Sequence, residues 1–245
     1  MIRIHKEKDE IATKKKAAKF INSLLKKYEE KPILLMLSGG SAIEILYFVS
    51  IESFGENVTI TVLDERFSKD PKANNFAMLS QTGFYQKMKK KRRVNFWDTR
   101  VWEGETPEGL TDRFGGYIQG WINGYKPEKD GKIIITQGVG ENGHTAGIMP
   151  YPENPELFKK LFDDPKRWVT GYDAKGKNKY PLRITVTLPF LKEKVDHSIV
   201  YMVGEEKREV FERLVAKEGT PLETPGRIIH EMKNVQLFTD LRITI

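Results

Sequence analysis

A glycine-rich segment that ends in a histidine is the part of the sequence that points most directly to catalysis. Gly138-Val139-Gly140-Glu141-Asn142-Gly143 matches G-x-G-x-x-G after an apolar stretch. The next residues, 144–152, contain a glycine and two prolines, so they do not continue as the helix that a dinucleotide site requires. His144 instead brings an imidazole to a crowded, backbone-lined loop, where it can serve as a general base. A structural histidine that bonds within its own loop is the alternative.

A second polar segment, Ser38-Gly39-Gly40-Ser41, joins an apolar run to a stretch of helical character. Such a turn aims free backbone N–H groups and two hydroxyls at one point, which is typical of an anion site. The same pattern also fits a tight turn in which Ser41 caps the helix. It is not a P-loop, because the lysine and the spacing of that motif are missing.

A third polar segment, Asp64-Glu65-Arg66, places two carboxylates and a guanidinium after another apolar run. Carboxylates can move protons, but an ion pair that only caps a strand is the usual role of such a group. Arg183 and Lys207 can add cationic donors for a phosphate, although each alone is typical of a solvated surface charge. No histidine has metal-ligand spacing such as H-E-x-x-H, so the sequence predicts no metal.

The elements that must position these segments alternate between strand and helix. Apolar runs predict strands at 33–37, 58–63, 94–97, 132–136, 168–172, 183–187, 198–203 and 235–239, and helical periodicity predicts helices at 12–28, 41–49, 76–88, 108–122 and 205–217. This alternation predicts an α/β protein with one mostly parallel sheet, and residues 1–245 read as a single domain. In such a sheet ligands bind beyond the carboxyl ends of the strands, which is where all three polar segments lie.

Composition narrows the classes of partner. With 39% hydrophobic residues the chain can build a core, and the absence of cysteine excludes disulfides, thiolate nucleophiles and cysteine-bound zinc. A net charge of +7 suits nucleic acid, an anionic membrane or an acidic substrate. The basic run at 87–93 ends a predicted helix and lacks interleaved aromatic residues, which favours a solvated helix end over a nucleic-acid site. The charged N-terminus and the lack of a long apolar run predict a cytoplasmic protein with no membrane partner.

Taken together, the motifs resemble the 6-phosphogluconolactonases, which share their arrangement with the glucosamine-6-phosphate deaminases. The resemblance runs from about residue 33 to the C-terminus and rests on LSGGS (37–41), DERF (64–67) followed by NF (75–76), GVGENGHTA (138–146), RITVTLP (183–189) and GEEK (204–207). The sequences Asp-Glu-Arg and Gly-His-Thr-Ala point to the lactonase branch. Deaminases typically have an aromatic residue in place of Arg66 and an isoleucine after the histidine.

The resemblance implies a Rossmann-like α/β fold with helices on both faces of the sheet. It also implies hydrolysis of 6-phospho-D-glucono-1,5-lactone to 6-phosphogluconate in the pentose phosphate pathway, without metal or cofactor. The substrate phosphate is then expected to rest on residues 38–41 with Arg183 and Lys207. Arg66 is expected to hold polar groups of the substrate, and His144 to activate the attacking water. The expected partner is a small sugar phosphate; the sequence specifies no oligomeric state.

Three departures from the family pattern bear on activity. Asn142 stands where the family usually has Asp, Ala42-Ile43 where it has Thr-Pro, and residues 147–150 where it has Ser-Leu-Phe-Pro. An amide keeps the hydrogen-bonding shape of a carboxylate but loses the negative charge that stabilises an imidazolium at His144.

Several functions therefore stay open at the level of sequence. One is a lactonase in which Asp64 or Glu65 supports His144, and another is a sugar-phosphate-binding relative with weak turnover. A third is a glucosamine-6-phosphate deaminase or isomerase in which Asp64 moves a proton between carbons 1 and 2. A non-catalytic binder of sugar phosphate or nucleic acid is the fourth.

Overall fold

The computed structural model describes residues 2–91 and 94–242 and contains two sheets. Its strands are β1 (Ile2–Lys6), β2 (Ile33–Leu37), β3 (Val58–Val62), β4 (Asp64–Arg66), β5 (Asn95–Phe96), β6 (Lys132–Gly138), β7 (Val169–Asp173), β8 (Leu182–Val186), β9 (His197–Met202) and β10 (Val235–Thr239). Its α-helices are α1 (Glu10–Lys27), α2 (Asn75–Ser80), α3 (Gly83–Lys91), α4 (Pro107–Lys129), α5 (Pro155–Phe162), α6 (Leu188–Glu193) and α7 (Arg208–Val215). Segments of 3₁₀ helix span Gly40–Phe48, Ile51–Ser53, Glu205–Lys207 and Pro225–His230.

The central sheet has seven parallel strands in the order β1-β10-β9-β6-β2-β3-β5. This arrangement confirms the predicted α/β class with a mostly parallel sheet. Because the strands run in one direction, their carboxyl ends meet at one edge, where β2, β3 and β6 are neighbours.

The core lies on both faces of this sheet. In β2 all five residues are buried, as expected for a strand covered on both sides. Ile33, Leu35 and Leu37 pack with α1, the 3₁₀ segment Gly40–Phe48, α2 and α3, whereas Leu34 and Met36 pack with α4 to α7. Side chains alternate across a strand, so β2 joins the two halves of the core. The expected helices on both faces are therefore present.

A separate three-stranded antiparallel sheet, in the order β4-β8-β7, is the main departure from the sequence prediction. The chain passes into it directly after β3, because the Leu63 N–H still donates to Leu37 O at 2.8 Å before Asp64 pairs with Thr185 of β8. A single sheet was therefore the wrong prediction. Residues 64–66 form a strand too short to show any periodicity, and three consecutive polar residues are typical of a loop.

Some predicted helices differ in type or continuity. The predicted helix 41–49 is the 3₁₀ segment Gly40–Phe48, and 205–217 divides into the 3₁₀ segment Glu205–Lys207 and α7. The predicted helix 76–88 divides into α2 and α3 because the Thr82 hydroxyl accepts a hydrogen bond from Tyr85 N at 3.1 Å and so caps a new helix. Strand β1 was not predicted, since five residues of mixed polarity give little signal.

Residues 87–91 of the basic run lie at the end of α3, as expected, and Arg92 and Arg93 fall outside the described residues. Within the described part of the chain, none of the helices combines the length and apolar character needed to cross a membrane.

Candidate active site

One cavity of about 180 Å³ lies at the carboxyl edge of the central sheet. It brings together most of the residues proposed from the sequence, namely Ser38, Gly39, Gly40, Ser41, Asp64, Arg66, His144, Arg183 and Lys207. Glu65 and Asn142 are not part of its lining. The cavity wall also contains Asn75, Val139, Ala146 and Gly147, for which sequence reasoning proposed no role.

The turn Ser38-Gly39-Gly40-Ser41 is fixed to the neighbouring strand β6. Ser38 N donates to Thr136 Oγ1 at 2.9 Å, and Ser38 Oγ accepts from Gly138 N at 3.3 Å. A Cβ atom at Gly39 would lie 2.4 Å from Asn75 Oδ1, so only glycine lets the turn approach that side chain. The turn then enters the 3₁₀ segment Gly40–Phe48, whose first N–H groups lack partners within the helix.

The loop that carries His144 folds back on its own backbone. Thr145 Oγ1 donates to Gly138 O at 2.8 Å, and Gly140 N donates to His144 O at 2.9 Å. A Cβ atom at Gly140 would lie 2.1 Å from His144 Cε1, so glycine is required for the imidazole to lie against the loop. The glycine-rich sequence thus serves to seat a histidine ring.

Asn142 fixes the tautomer of His144. Its Oδ1 atom lies 3.2 Å from the backbone N of His144, and a backbone N–H can only donate, so the acceptor there is the amide oxygen. The same oxygen lies 2.6 Å from His144 Nδ1, which must therefore carry a proton and donate it. Nε2 is then the unprotonated nitrogen of the neutral ring, with a lone pair that can accept a proton.

The surroundings keep His144 neutral. Burial is the largest cause that lowers the pKa of His144; together with the positive charges of Arg183, Lys207 and Arg66, which Asp64 opposes, it brings the pKa to about 4. Near neutral pH the ring is therefore uncharged and available as a proton acceptor.

Asp64 and Arg183 form a buried ion pair across the β4–β8 ladder. Arg183 Nη2 lies 2.8 Å from Asp64 Oδ2, and the two residues are 3% and 4% exposed. Arg183 Nε and Nη1 have no partner among the described residues. Buried donors without acceptors are costly, so this guanidinium is suited to a further acceptor such as an anionic ligand.

Positive charge dominates the cavity. Arg66 donates from Nη1 to Ala73 O at 3.4 Å, and its Nε has no partner within the described residues. Lys207 Nζ donates to Val139 O. Burial lowers the pKa of both side chains. With Arg183 they place three cations against the single lining carboxylate of Asp64, which indicates a site for an anion.

Glu65 points away from the cavity. Its Oε1 accepts from Arg66 N at 2.7 Å and Asn75 N at 2.6 Å, and its Oε2 accepts from Phe76 N at 3.0 Å and Thr99 Oγ1 at 2.7 Å. Burial raises the pKa of Glu65 to about 7, while these four donors favour the ionised form. The candidate catalytic carboxylate therefore joins β4 to the start of α2.

Through this connection Asn75 reaches the cavity. Its side-chain N donates to Asp64 O at 2.8 Å, and its buried Oδ1 has no partner in the described part of the chain. In the sequence, the only indication that Asn75 belongs to the site was that the pair Asn75-Phe76 follows the Asp-Glu-Arg-Phe segment.

A larger groove of about 800 Å³ lies between α4 and β7, and its lining contains none of the residues singled out from the sequence. Across residues 2–91 and 94–242, no group of three or more His, Asp or Glu side chains is arranged to hold a metal ion.

The fold and the cavity define a Rossmann-like α/β protein with an electropositive, histidine-containing site at the carboxyl edge of its parallel sheet. A sequence model of the glucosamine-6-phosphate isomerases/6-phosphogluconolactonase family matches residues 7–238. The chain belongs to this family, which confirms the resemblance seen in the motifs.

Individual relatives agree with this assignment. A 6-phosphogluconolactonase of Neisseria meningitidis serogroup A is 26% identical over 218 residues, which cover 86% of each chain. A 6-phosphogluconolactonase of Chlamydia trachomatis is 29% identical over 96 residues, 38% of this chain and 34% of that one. The crystal structure of a 6-phosphogluconolactonase from Thermotoga maritima has a TM-score of 0.71 at 18% identity and covers 98% of this chain and 99% of its own. At that identity the structural likeness shows the fold.

Replacement of Glu65 by leucine tests its structural role. Glu65→Leu should lower the free energy of unfolding by about 3 kcal/mol or more, because each buried donor left without an acceptor costs about 1–3 kcal/mol. The midpoint of urea denaturation, at an unchanged m value, measures the loss. Glu218→Leu, at an exposed position, is the control. Equal losses in the two variants would contradict this role.

Titration of His144 by NMR tests the electrostatics of the cavity. As the pH falls from 7, the imidazole should stay neutral until about pH 4, because its pKa is lowered by burial and by the neighbouring cations. Asn142→Asp should raise the pKa, since a carboxylate at Nδ1 stabilises the imidazolium. Asn123→Asp on α4 adds the same charge elsewhere and should leave the titration unchanged. A wild-type midpoint near the ordinary histidine value would contradict the expected neutrality.

Proposed function

We propose that this protein hydrolyses 6-phospho-D-glucono-1,5-lactone to 6-phosphogluconate, with His144 as the general base and without a metal. The observation that carries the proposal is a neutral imidazole, with Nδ1 committed to Asn142, in a cavity that also holds three cations. Membership of a family that includes 6-phosphogluconolactonases supports the same reaction.

The charged groups suit the two ends of this substrate. In this proposal the phosphate lies against the turn 38–41. There it can accept hydrogen bonds from backbone N–H groups, hydroxyls, Lys207 and the unpaired donors of Arg183. Arg66 is placed to hold polar groups of the sugar lactone. A net charge of +7 also favours the approach of a dianionic substrate.

The reaction needs one proton acceptor that later becomes a donor. His144 Nε2 takes a proton from water as the water oxygen bonds to the lactone carbonyl carbon, and the carbonyl oxygen becomes an oxyanion. The oxyanion re-forms the carbonyl as the bond from that carbon to the ring oxygen breaks. The ring oxygen leaves with the proton that the imidazolium returns, and the product carboxylic acid then ionises. Cationic donors around the cavity lower the energy of the oxyanion.

Asp64 is poorly suited to the alternative deaminase reaction. That reaction requires a carboxylate that moves a proton between carbons 1 and 2 of the amino-sugar phosphate. The carboxylate of Asp64 is instead paired with Arg183, with 2.8 Å between Asp64 Oδ2 and Arg183 Nη2. In the proposed lactonase Asp64 has a positioning role instead, because the ion pair holds Arg183 at the cavity.

A hydrolysis assay tests both the reaction and the base. Wild-type protein should accelerate hydrolysis of fresh 6-phosphogluconolactone above its spontaneous rate, and His144→Ala should reduce kcat by about 10²- to 10⁴-fold, the usual contribution of a general base. His5→Ala, in the edge strand β1, should retain activity. If wild-type protein matches the spontaneous rate while 6-phosphogluconate still binds, the proposal fails. Release of ammonia from glucosamine 6-phosphate would instead favour the deaminase.

Restoring a negative charge beside the histidine tests the role of Asn142. Asn142→Asp should raise kcat and move the acidic limb of the pH–rate profile to higher pH, because the imidazolium becomes more stable. A carboxylate that raises the pKa of His144 by about one unit stabilises the imidazolium by about 1.4 kcal/mol, so we expect a gain of up to about tenfold. Asn123→Asp is the matched control. Because Asn-Gly pairs deamidate, intact mass is measured before each assay. An unchanged rate would show that the missing negative charge at residue 142 does not limit hydrolysis.

A further inference from the structure

The turn between β7 and β8, residues 174–181, carries a tyrosine that faces Arg66. The guanidinium carbon of Arg66 lies 5.1 Å from the centroid of the Tyr180 ring, within the range of a cation–π interaction. We propose that Tyr180 is a positioning residue that holds the Arg66 guanidinium at the cavity and thereby sets the affinity for the sugar phosphate. This inference rests on the proposed function for its ligand, although Tyr180 itself is not part of the cavity lining.

Arg66 depends on such a contact because its hydrogen bonds are few. Nη1 makes one long bond of 3.4 Å to Ala73 O, and Nε has no partner among the described residues. A side chain with several rotatable bonds loses entropy when it is held in one place. A stacked ring holds the guanidinium plane without occupying its N–H groups, which stay available to an anion.

The position of Arg66 in the small sheet adds a repulsion that must be opposed. Arg66 pairs directly with Arg183 in the β4–β8 ladder, so two guanidinium groups begin from neighbouring positions. The positive charge of Arg183 lowers the pKa of Arg66, after burial, which is the larger effect. Like charges at this spacing favour movement of Arg66 towards solvent. The negative face of the Tyr180 ring favours the inward position.

The turn that carries Tyr180 is itself anchored. Ala174 N donates to Pro181 O at 2.7 Å, and Tyr180 N donates to Asn178 Oδ1 at 3.0 Å. Lys177 Nζ lies 2.6 Å from Glu153 Oε1 and 4.4 Å from the centroid of the Tyr151 ring.

These contacts join the turn to the segment that follows the His144 loop. The turn therefore contacts Arg66 through Tyr180 and residues 151–153 through Lys177. A change at Tyr180 leaves Asn142 and the loop of His144 intact, so its effect on the ligand should pass through Arg66.

The test compares Tyr180→Leu with Tyr180→Phe. Leucine keeps an apolar side chain without a ring face, whereas phenylalanine keeps the face and loses only the hydroxyl. Tyr180→Leu should weaken 6-phosphogluconate binding, measured by calorimetry, by about tenfold, and should raise KM by the same factor. Tyr180→Phe should match wild type. Tyr125→Leu, a half-exposed tyrosine on α4, is the matched control and should also match wild type.

Two further measurements separate positioning from a general structural effect. In an Arg66→Met background, Tyr180→Leu should cost little further affinity, because no cation is left for the ring face to hold. The NMR resonance of Arg66 Nε–H should shift when Tyr180 is replaced by leucine but not when it is replaced by phenylalanine, since the ring current is then lost.

Each outcome bears on one of the two proposals. Full affinity in Tyr180→Leu, losses that add independently of Arg66, or failure of wild-type protein to bind 6-phosphogluconate would overturn the role of Tyr180. If binding and the Arg66 resonance respond as expected but wild-type protein does not hydrolyse the lactone, the role of Tyr180 stands and the lactonase proposal fails.

Discussion

The buried ion pair between Asp64 and Arg183 is the contact on which the rest of the site depends. It joins β4, which follows β3 of the parallel sheet directly, to β8 of the small antiparallel sheet, and both residues line the cavity. Two buried charges are expensive to desolvate, and removal of either partner would leave the other uncompensated. The pair uses only one of the Arg183 nitrogens, and Nε and Nη1 remain without partners among the described residues. A contact that stabilises the fold thus also supplies donors for a ligand.

The same cations govern the chemistry of His144. Arg183, Lys207 and Arg66 all lower its pKa, so the groups that suit an anionic substrate also keep the base unprotonated before the substrate arrives. When an anion binds, its negative charge offsets part of that field, and the imidazole becomes more basic. In the proposed reaction, substrate binding therefore strengthens the base at the moment when it must take a proton from water.

The sequence predicted the parts of the structure that have a strong local pattern. Strand β10 was placed at 235–239 without error, and the three polar segments were expected at the carboxyl edge because parallel strands end there. The small sheet could not be predicted, since β4 has three polar residues and its pairing with β8 joins positions more than a hundred residues apart. For the same reason Glu65 was grouped with Asp64, although successive residues of a strand face opposite sides. The contact of Tyr180 with Arg66 depends on that pairing as well.

Asn142 separates two tasks that an aspartate at this position performs together. Orientation needs only an acceptor, and the amide oxygen supplies it by accepting from both the backbone N–H and Nδ1 of His144. Charge stabilisation needs an anion, which the amide lacks, and this agrees with a histidine whose pKa lies near 4. A base this weak takes a proton from water less readily than one matched to neutral pH. In the proposed reaction the lowering of the activation barrier then depends more on stabilisation of the oxyanion, for which the three cations of the cavity are available.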